Sequence, residues 1–237
     1  MLSLSVVMHP GIAILIFPGR SNYMQRLLLI LFLAFSSFNS FADEVHFKTN
    51  DNATIFAEFH KRGTHAILLA HGAIFNKQSW GKFEQQLLGN NYTVLAIDFR
   101  GYGKSIKGDQ PGALYQDILA GVQFLQAQVG INRITVLGAS MGGAAASKAS
   151  VYSAPQSIDQ LILLSPASVY QPEKLKGDLL FIASKDEYLA KALRSAYNQA
   201  PKPKKIQLIA GSAHAQHIFK TPEAEALTTI ILNFLDE

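Results

Sequence analysis

No cysteine occurs among the 237 residues, so disulfides, thiol catalysis and a lipid-modified N-terminal cysteine are all excluded. The fold must therefore be held by its apolar core. Charge is also sparse: 16% of residues are Asp, Glu, Lys or Arg, against 49% hydrophobic. The formal net charge is +4, and it falls to +2 (19 basic against 17 acidic residues) when Arg20 and Arg26 are set aside with residues 1–42. The one basic cluster, Lys202-Pro203-Lys204-Lys205, precedes a strand and reads as a solvated turn. A nucleic-acid binder needs a broader cationic face, so no nucleic-acid partner is expected. There is no H-E-x-x-H string and no clustered carboxylate–histidine set, so neither metal nor cofactor is read from the sequence.

Long apolar runs are missing too. The longest, Leu27 to Phe35, has nine residues, well short of the roughly 20 that cross a bilayer. It follows Gln25-Arg26 and runs into Ser36 to Ala42, with small residues at Ser40 and Ala42. A basic residue, a short apolar stretch and a small-residue cleavage site make the three parts of a secretory signal peptide. Residues 1–42 are therefore expected to be a leader cut after Ala42, with residues 43–237 as the domain. A periplasmic or secreted location follows, with no membrane span once the leader is gone. Residues 1–23 fit neither leader nor anchor, because His9, Pro10, Pro18 and Arg20 interrupt them; Met24 is the expected true start.

From Asp43 onward the pattern alternates. Val45–Lys48 and Thr54–Phe59 show period-two hydrophobicity around the turn Asn50-Asp51-Asn52, an antiparallel pair with one wet face. Strands then alternate with helices: strand His65–Ala70, helix Lys77–Leu88, strand Tyr92–Ile97, helix Ala113–Gln128 and strand Arg133–Leu137. They continue through strands Gln160–Leu164 and Leu179–Ala183, helix Tyr188–Gln199, strand Lys205–Ala210 and helix Glu223–Phe234. This order predicts a single α/β domain, a mostly parallel central sheet with helices on both faces.

Between strand Arg133–Leu137 and the alanine-rich helix that follows lies Gly138-Ala139-Ser140-Met141-Gly142. A serine at such a strand-to-helix corner is forced to positive φ, and small residues two positions away let neighbouring backbone approach. The arrangement is a nucleophile elbow, with the hydroxyl held above the sheet. A serine hydroxyl needs a base, and the base needs an orienting acid. In such a sheet both belong on loops after later strands. Strand Leu179–Ala183 runs into Ser184-Lys185-Asp186-Glu187, and strand Lys205–Ala210 into Gly211-Ser212-Ala213-His214-Ala215-Gln216-His217. Asp186 comes sooner after its strand than Glu187, and His214 sooner than His217; the second member of each pair remains an alternative.

With these residues in hand the chain resembles an α/β-hydrolase. The resemblance covers residues 43–237 and rests on four motifs in order: the His71-Gly72 turn, the Asp98-x-Arg100-Gly101-x-Gly103-x-Ser105 loop, the serine elbow and the histidine loop. It implies Ser140 as nucleophile, His214 as general base and Asp186 as orienting acid. It also implies an oxyanion hole from the backbone N–H groups of Ala73 and Met141. Asp98, Arg100 and His71 are then expected to brace loops. The oxyanion turn reads His71-Gly72-Ala73-Ile74 rather than HGGG. Only Pro166–Lys176 is left between serine and acid for a lid, so an open site without a sizeable lid domain is expected. The resemblance implies acyl transfer on a small ester-like substrate, carboxylic esters first. A peptidase or amidase, or a non-catalytic binding protein on the same fold, are the other readings. Nothing in the sequence speaks to oligomeric state.

Overall fold

The computed structural model describes residues 43–237 throughout. Ahead of them it describes only two short antiparallel strands, Ser5–His9 and Ile12–Ile16, with Ser5 opposite Ile16 and His9 opposite Ile12. These belong to a separate unit, Met1–Ser40. The expected leader, its start at Met24 and its cleavage after Ala42 otherwise lie outside the described residues.

The domain is one eight-stranded sheet. In chain order its strands are β1 (Asp43–Lys48), β2 (Thr54–His60), β3 (His65–Ala70), β4 (Thr93–Ile97), β5 (Arg133–Ala139), β6 (Gln160–Leu164), β7 (Asp178–Ser184) and β8 (Lys204–Ile209). Their spatial order is β8-β7-β6-β5-β3-β4-β2-β1. β1 and β2 pair antiparallel, and β2 joins β4 antiparallel. From β4 through β3, β5, β6, β7 and β8 all pairings are parallel. The mostly parallel sheet expected from the alternation of strands and helices is what forms.

Five α-helices cover it: α1 (Gly81–Gly89), α2 (Leu114–Gln126), α3 (Met141–Tyr152), α4 (Ala190–Gln199) and α5 (Ala224–Leu235). The central strands are apolar on both faces because helices lie on both. On one face Leu68, Val136, Leu163 and Phe181 pack with Ile118 and Val122 of α2, Ala146 and Ala149 of α3 and Leu193 of α4. On the other, Ile67, Leu69, Leu137 and Ile182 pack with Phe83 and Leu87 of α1 and Leu227 and Ile231 of α5. Among the described residues no helix is long and apolar enough to cross a membrane.

The helix expected over Lys77–Leu88 differs in detail. Its first turn, Lys77–Trp80, is 3-10 and only then does α1 begin. The cause is a tertiary tether: Asp98, just past β4, accepts hydrogen bonds from both the backbone N–H and the Nζ of Lys77, each at 2.8 Å. Both partners of this ion pair are buried.

A second buried ion cluster fixes the loop after β4. Arg100 holds Asp51, from the β1–β2 turn, through Nη1 and Nη2 at 2.5 and 2.9 Å. Its Nε donates to Asp117 of α2 at 2.8 Å. The guanidinium beside it holds the Asp51 carboxyl far below the usual carboxylate range. Asp98 and Arg100 are thus internal braces, as the resemblance implies. Removing one partner of such a set leaves an unpaired buried charge, a loss of about 3–5 kcal/mol.

Candidate active site

The strand-to-helix corner has the conformation its sequence dictates. Ser140 has φ 51° and ψ −112°, a strained region for a residue with a side chain. Two glycines make this possible by close approach. A Cβ at Gly142 would collide with the carbonyl oxygen of Ala70, and one at Gly138 with the carbonyl of Gly142. The Ser140 N–H donates to Leu164 O of β6 at 3.0 Å, and its carbonyl accepts from Ala144 and Ala167 at 3.0 and 2.9 Å. The corner is therefore tied both to the sheet and to the loop after β6.

Ser140 Oγ lies 2.8 Å from Nε2 of His214, which sits in the loop after β8. The other ring nitrogen, Nδ1, is 2.6 Å from Oε2 of Glu187. The structure thus brings Ser140 and His214 together as expected, but it places Glu187, not Asp186, against the imidazole. The reason is the turn after β7. Lys185 and Asp186 donate their N–H groups to Ile209 O and Gly211 O beside β8, which puts both at the exposed outer corner. The chain then folds back, and Glu187 returns inward with its side chain only 1% exposed. Its Oε1 accepts from the Ser184 N–H at 3.0 Å and from Ser165 Oγ at 2.5 Å. One carboxylate oxygen is thereby held by two donors and the other is free to face His214. The imidazole on Ser140 Oγ is that of His214; the His217 ring packs against Phe75, 5.1 Å between centroids.

Residues without a motif complete the site. Ser165, buried at the end of β6, serves Glu187 and also accepts from the Ala215 N–H at 3.2 Å. Gln216, 2% exposed, accepts from the Gly72 N–H at 2.8 Å and donates to Ser79 Oγ at 2.8 Å. It ties the His71-Gly72 turn to the loop that carries His214. A side chain at Gly72 would lie 3.4 Å from Ser140 Cβ, so this turn borders the nucleophile. Serines and glutamines are too common to signal such roles in sequence. The only hint was position: Ser165 follows β6 and Gln216 follows His214.

His71 is fully buried, with Nδ1 2.8 Å from Gly72 O and Nε2 accepting from the Phe99 N–H at 3.3 Å. Burial holds its pKa below the ordinary histidine value, which keeps the neutral ring these two bonds require. Among the described residues the N–H groups of Ala73 and Met141 are engaged in no turn or cap hydrogen bond. Met141 is also the first residue of α3, where the helix dipole favours negative charge. Around the serine the surface is open. Ile74, beside the oxyanion turn, and Tyr188, whose ring lies 5.9 Å from that of His214, are 78% and 81% exposed. The Pro166–Lys176 segment adds only one 3-10 turn, Pro172–Lys174.

Comparison with known proteins places this architecture. The family model described as serine aminopeptidase, S33 (Hydrolase_4) matches residues 62–199. The chain belongs to this α/β-hydrolase family. It is 37% identical over 106 residues to the uncharacterized protein Rv2715 of Mycobacterium tuberculosis, covering 44% of this chain and 30% of that protein. It is 30% identical over 126 residues to the AB hydrolase superfamily protein YisY of Bacillus subtilis, covering 52% of this chain and 45% of that protein. The chain thus spans less than half the length of these curated relatives. Among solved structures, the esterase EaEST of Exiguobacterium antarcticum is similar with a TM-score of 0.69 and 16% identity, over 82% of this chain and 100% of that one. The esterase Pf2001 of Pyrococcus furiosus gives 0.71 and 19%, over 83% and 90%. These likenesses establish the fold.

Proposed function

We propose that this α/β-hydrolase family member is a serine hydrolase acting by acyl transfer, with carboxylic esters of small molecules as its substrates. The observation that carries the reading is the chain of contacts Ser140–His214–Glu187, at 2.8 and 2.6 Å. In this mechanism Ser140 Oγ attacks the ester carbonyl carbon and its proton passes to His214 Nε2. Glu187 holds Nδ1–H, fixes the tautomer and stabilises the imidazolium. The carbonyl oxygen, now anionic, accepts hydrogen bonds from the N–H groups of Met141 and Ala73. Collapse expels the alkoxide, which takes the proton from His214. Water then attacks the acyl-serine and gives a proton to His214, which returns it to Ser140 Oγ as the acyl–oxygen bond breaks and the acid leaves. The open surface beside Ile74 and Tyr188 favours short, accessible esters.

The test is covalent. A fluorophosphonate probe should label the purified protein and fail to label Ser140→Ala, with p-nitrophenyl acetate turnover falling by at least about 10³-fold. No labelling at all would favour a non-catalytic protein on this fold, and labelling that survives the substitution would move the nucleophile elsewhere. Peptide-bond cleavage is the second reading, favoured by the description of the matching family. Faster turnover of amino-acid p-nitroanilides than of p-nitrophenyl esters would establish it. The reading includes export through residues 1–42, for which N-terminal sequencing of the secreted protein should return Asp43 first.

A further inference from the structure

The chain contains a second cluster of histidine and carboxylates, remote in sequence from Ser140 and with no part in the acyl-transfer scheme. Glu58 and His60 stand two apart on β2, so both side chains leave the same face of the sheet. Ile55, Ala57 and Phe59 point the other way, into the core beneath α2 and α3. Glu84, on α1, meets Glu58 and His60 from across the sheet face. One potential ligand atom from each residue lies within 4.8 Å of those of the other two.

The contacts in this cluster are not those of a finished polar network. Among the described residues only three buried side-chain nitrogen or oxygen atoms lack a hydrogen-bond partner, and two are His60 Nδ1 and Glu84 Oε1. Glu84 is 5% exposed and His60 is 9%. A buried carboxyl oxygen with no donor keeps its full desolvation cost uncompensated. His60 Nε2 and Glu84 Oε1 face each other at 3.4 Å, yet that oxygen makes no hydrogen bond. The same spacing suits two ligands of one ion. Bonds of about 2.0–2.1 Å from nitrogen and oxygen to a tetrahedral centre put neighbouring ligand atoms about 3.3–3.4 Å apart. Glu58 closes the third corner. One of its oxygens accepts from Gln78 Nε2 at 2.7 Å, which orients the carboxylate, and its partial exposure leaves a way in for the ion.

We propose that Glu58, His60 and Glu84 form a binding site for a divalent transition-metal ion of the zinc type, clamping α1 to β2. The donor set of one imidazole and two carboxylates fits such an ion, with water as the fourth ligand. Its role is structural. α1 follows directly on the segment that leads from His71 through Lys77 to Trp80, so the clamp steadies the chain that forms the oxyanion turn.

The experiment uses the purified protein after EDTA treatment and dialysis. Isothermal titration with Zn²⁺ should show one equivalent bound, and the thermal midpoint should rise by about 5–10 °C at saturating metal. Both responses should disappear in the isosteric Glu84→Gln and in His60→Ala. Both should persist in His214→Ala, which removes the other histidine–glutamate pair. No uptake by the unsubstituted protein overturns the proposal. So does uptake that survives Glu84→Gln and His60→Ala, or uptake lost only in His214→Ala, which would put the metal at the serine site.

Discussion

Two histidines of this protein face a buried glutamate, and the pairs are built differently. His214 and Glu187 meet at 2.6 Å, and every remaining polar atom near them is matched: Ser140 Oγ on Nε2, the Ser184 N–H and Ser165 hydroxyl on the second carboxylate oxygen. His60 Nε2 and Glu84 Oε1 face each other at 3.4 Å, and that oxygen and the far ring nitrogen, Nδ1, have no hydrogen-bond partner. A complete network fixes one tautomer and one ring orientation, which proton transfer demands. An incomplete one stores a desolvation cost that a cation can relieve. The same two residue types thus serve different chemistry according to what else points at them.

The comparison breaks most visibly at Glu187. Glu187→Gln keeps the shape but presents an amide to His214 Nδ1 and favours the wrong tautomer. The expected loss in kcat on p-nitrophenyl acetate is roughly 10³-fold. Asp186→Ala, at the exposed corner, should stay within about twofold; a reversal of these two results would restore Asp186 as the acid. A smaller effect should come from the brace on the oxyanion turn. Gln216→Leu leaves the buried Gly72 N–H without its acceptor, with kcat down about tenfold and stability down about 1–2 kcal/mol in urea unfolding. An unchanged kcat would show that the turn holds its place alone.

The second pair should respond in the opposite sense. In the presence of EDTA, Glu84→Leu removes an unpartnered carboxyl, and stability should hold or rise by about 1 kcal/mol. A fall of that size would mean that Glu84 is satisfied without metal. The smallest effect concerns His65, whose Nε2 lies 2.8 Å from the Thr135 hydroxyl and whose ring packs edge-on against Tyr92. Burial, with Arg133 adding to it, pushes His65 down to about 4, below the value of about 6.5 in an unfolded chain. The fold therefore favours the neutral ring. Its contribution is complete above about pH 6.5, declines as pH falls and levels off near pH 4. Urea midpoints measured across that window should slope less steeply in His65→Gln.

The fold could be read from the sequence because its signals are local. β3, β6 and the antiparallel β1–β2 pair lie within a residue or two of the predicted ranges, since period-two and continuous apolar patterns mark wet and buried strands. The elbow was equally plain: Gly138 and Gly142 are needed wherever Ser140 must turn so sharply. Lys77–Trp80 departed from its expected α-helix because Asp98, which pulls Lys77 in, comes from another strand. Ser165 and Gln216 carried no pattern, being ordinary residues made important by the loops they meet. The Glu58–His60–Glu84 cluster could not be seen in sequence, because two of its members lie on a strand and the third on a helix.

Sequence alone determined the parallel sheet, the serine at its corner and the histidine after the last strand. Each follows from residue types within a few positions of one another. Only the tertiary structure decided which acid serves His214. Asp186 and Glu187 are adjacent and chemically equivalent, and the choice rests on the backbone turn after Ser184. That turn is anchored by hydrogen bonds to the loop beside β8, which sends Asp186 to solvent and Glu187 under the imidazole.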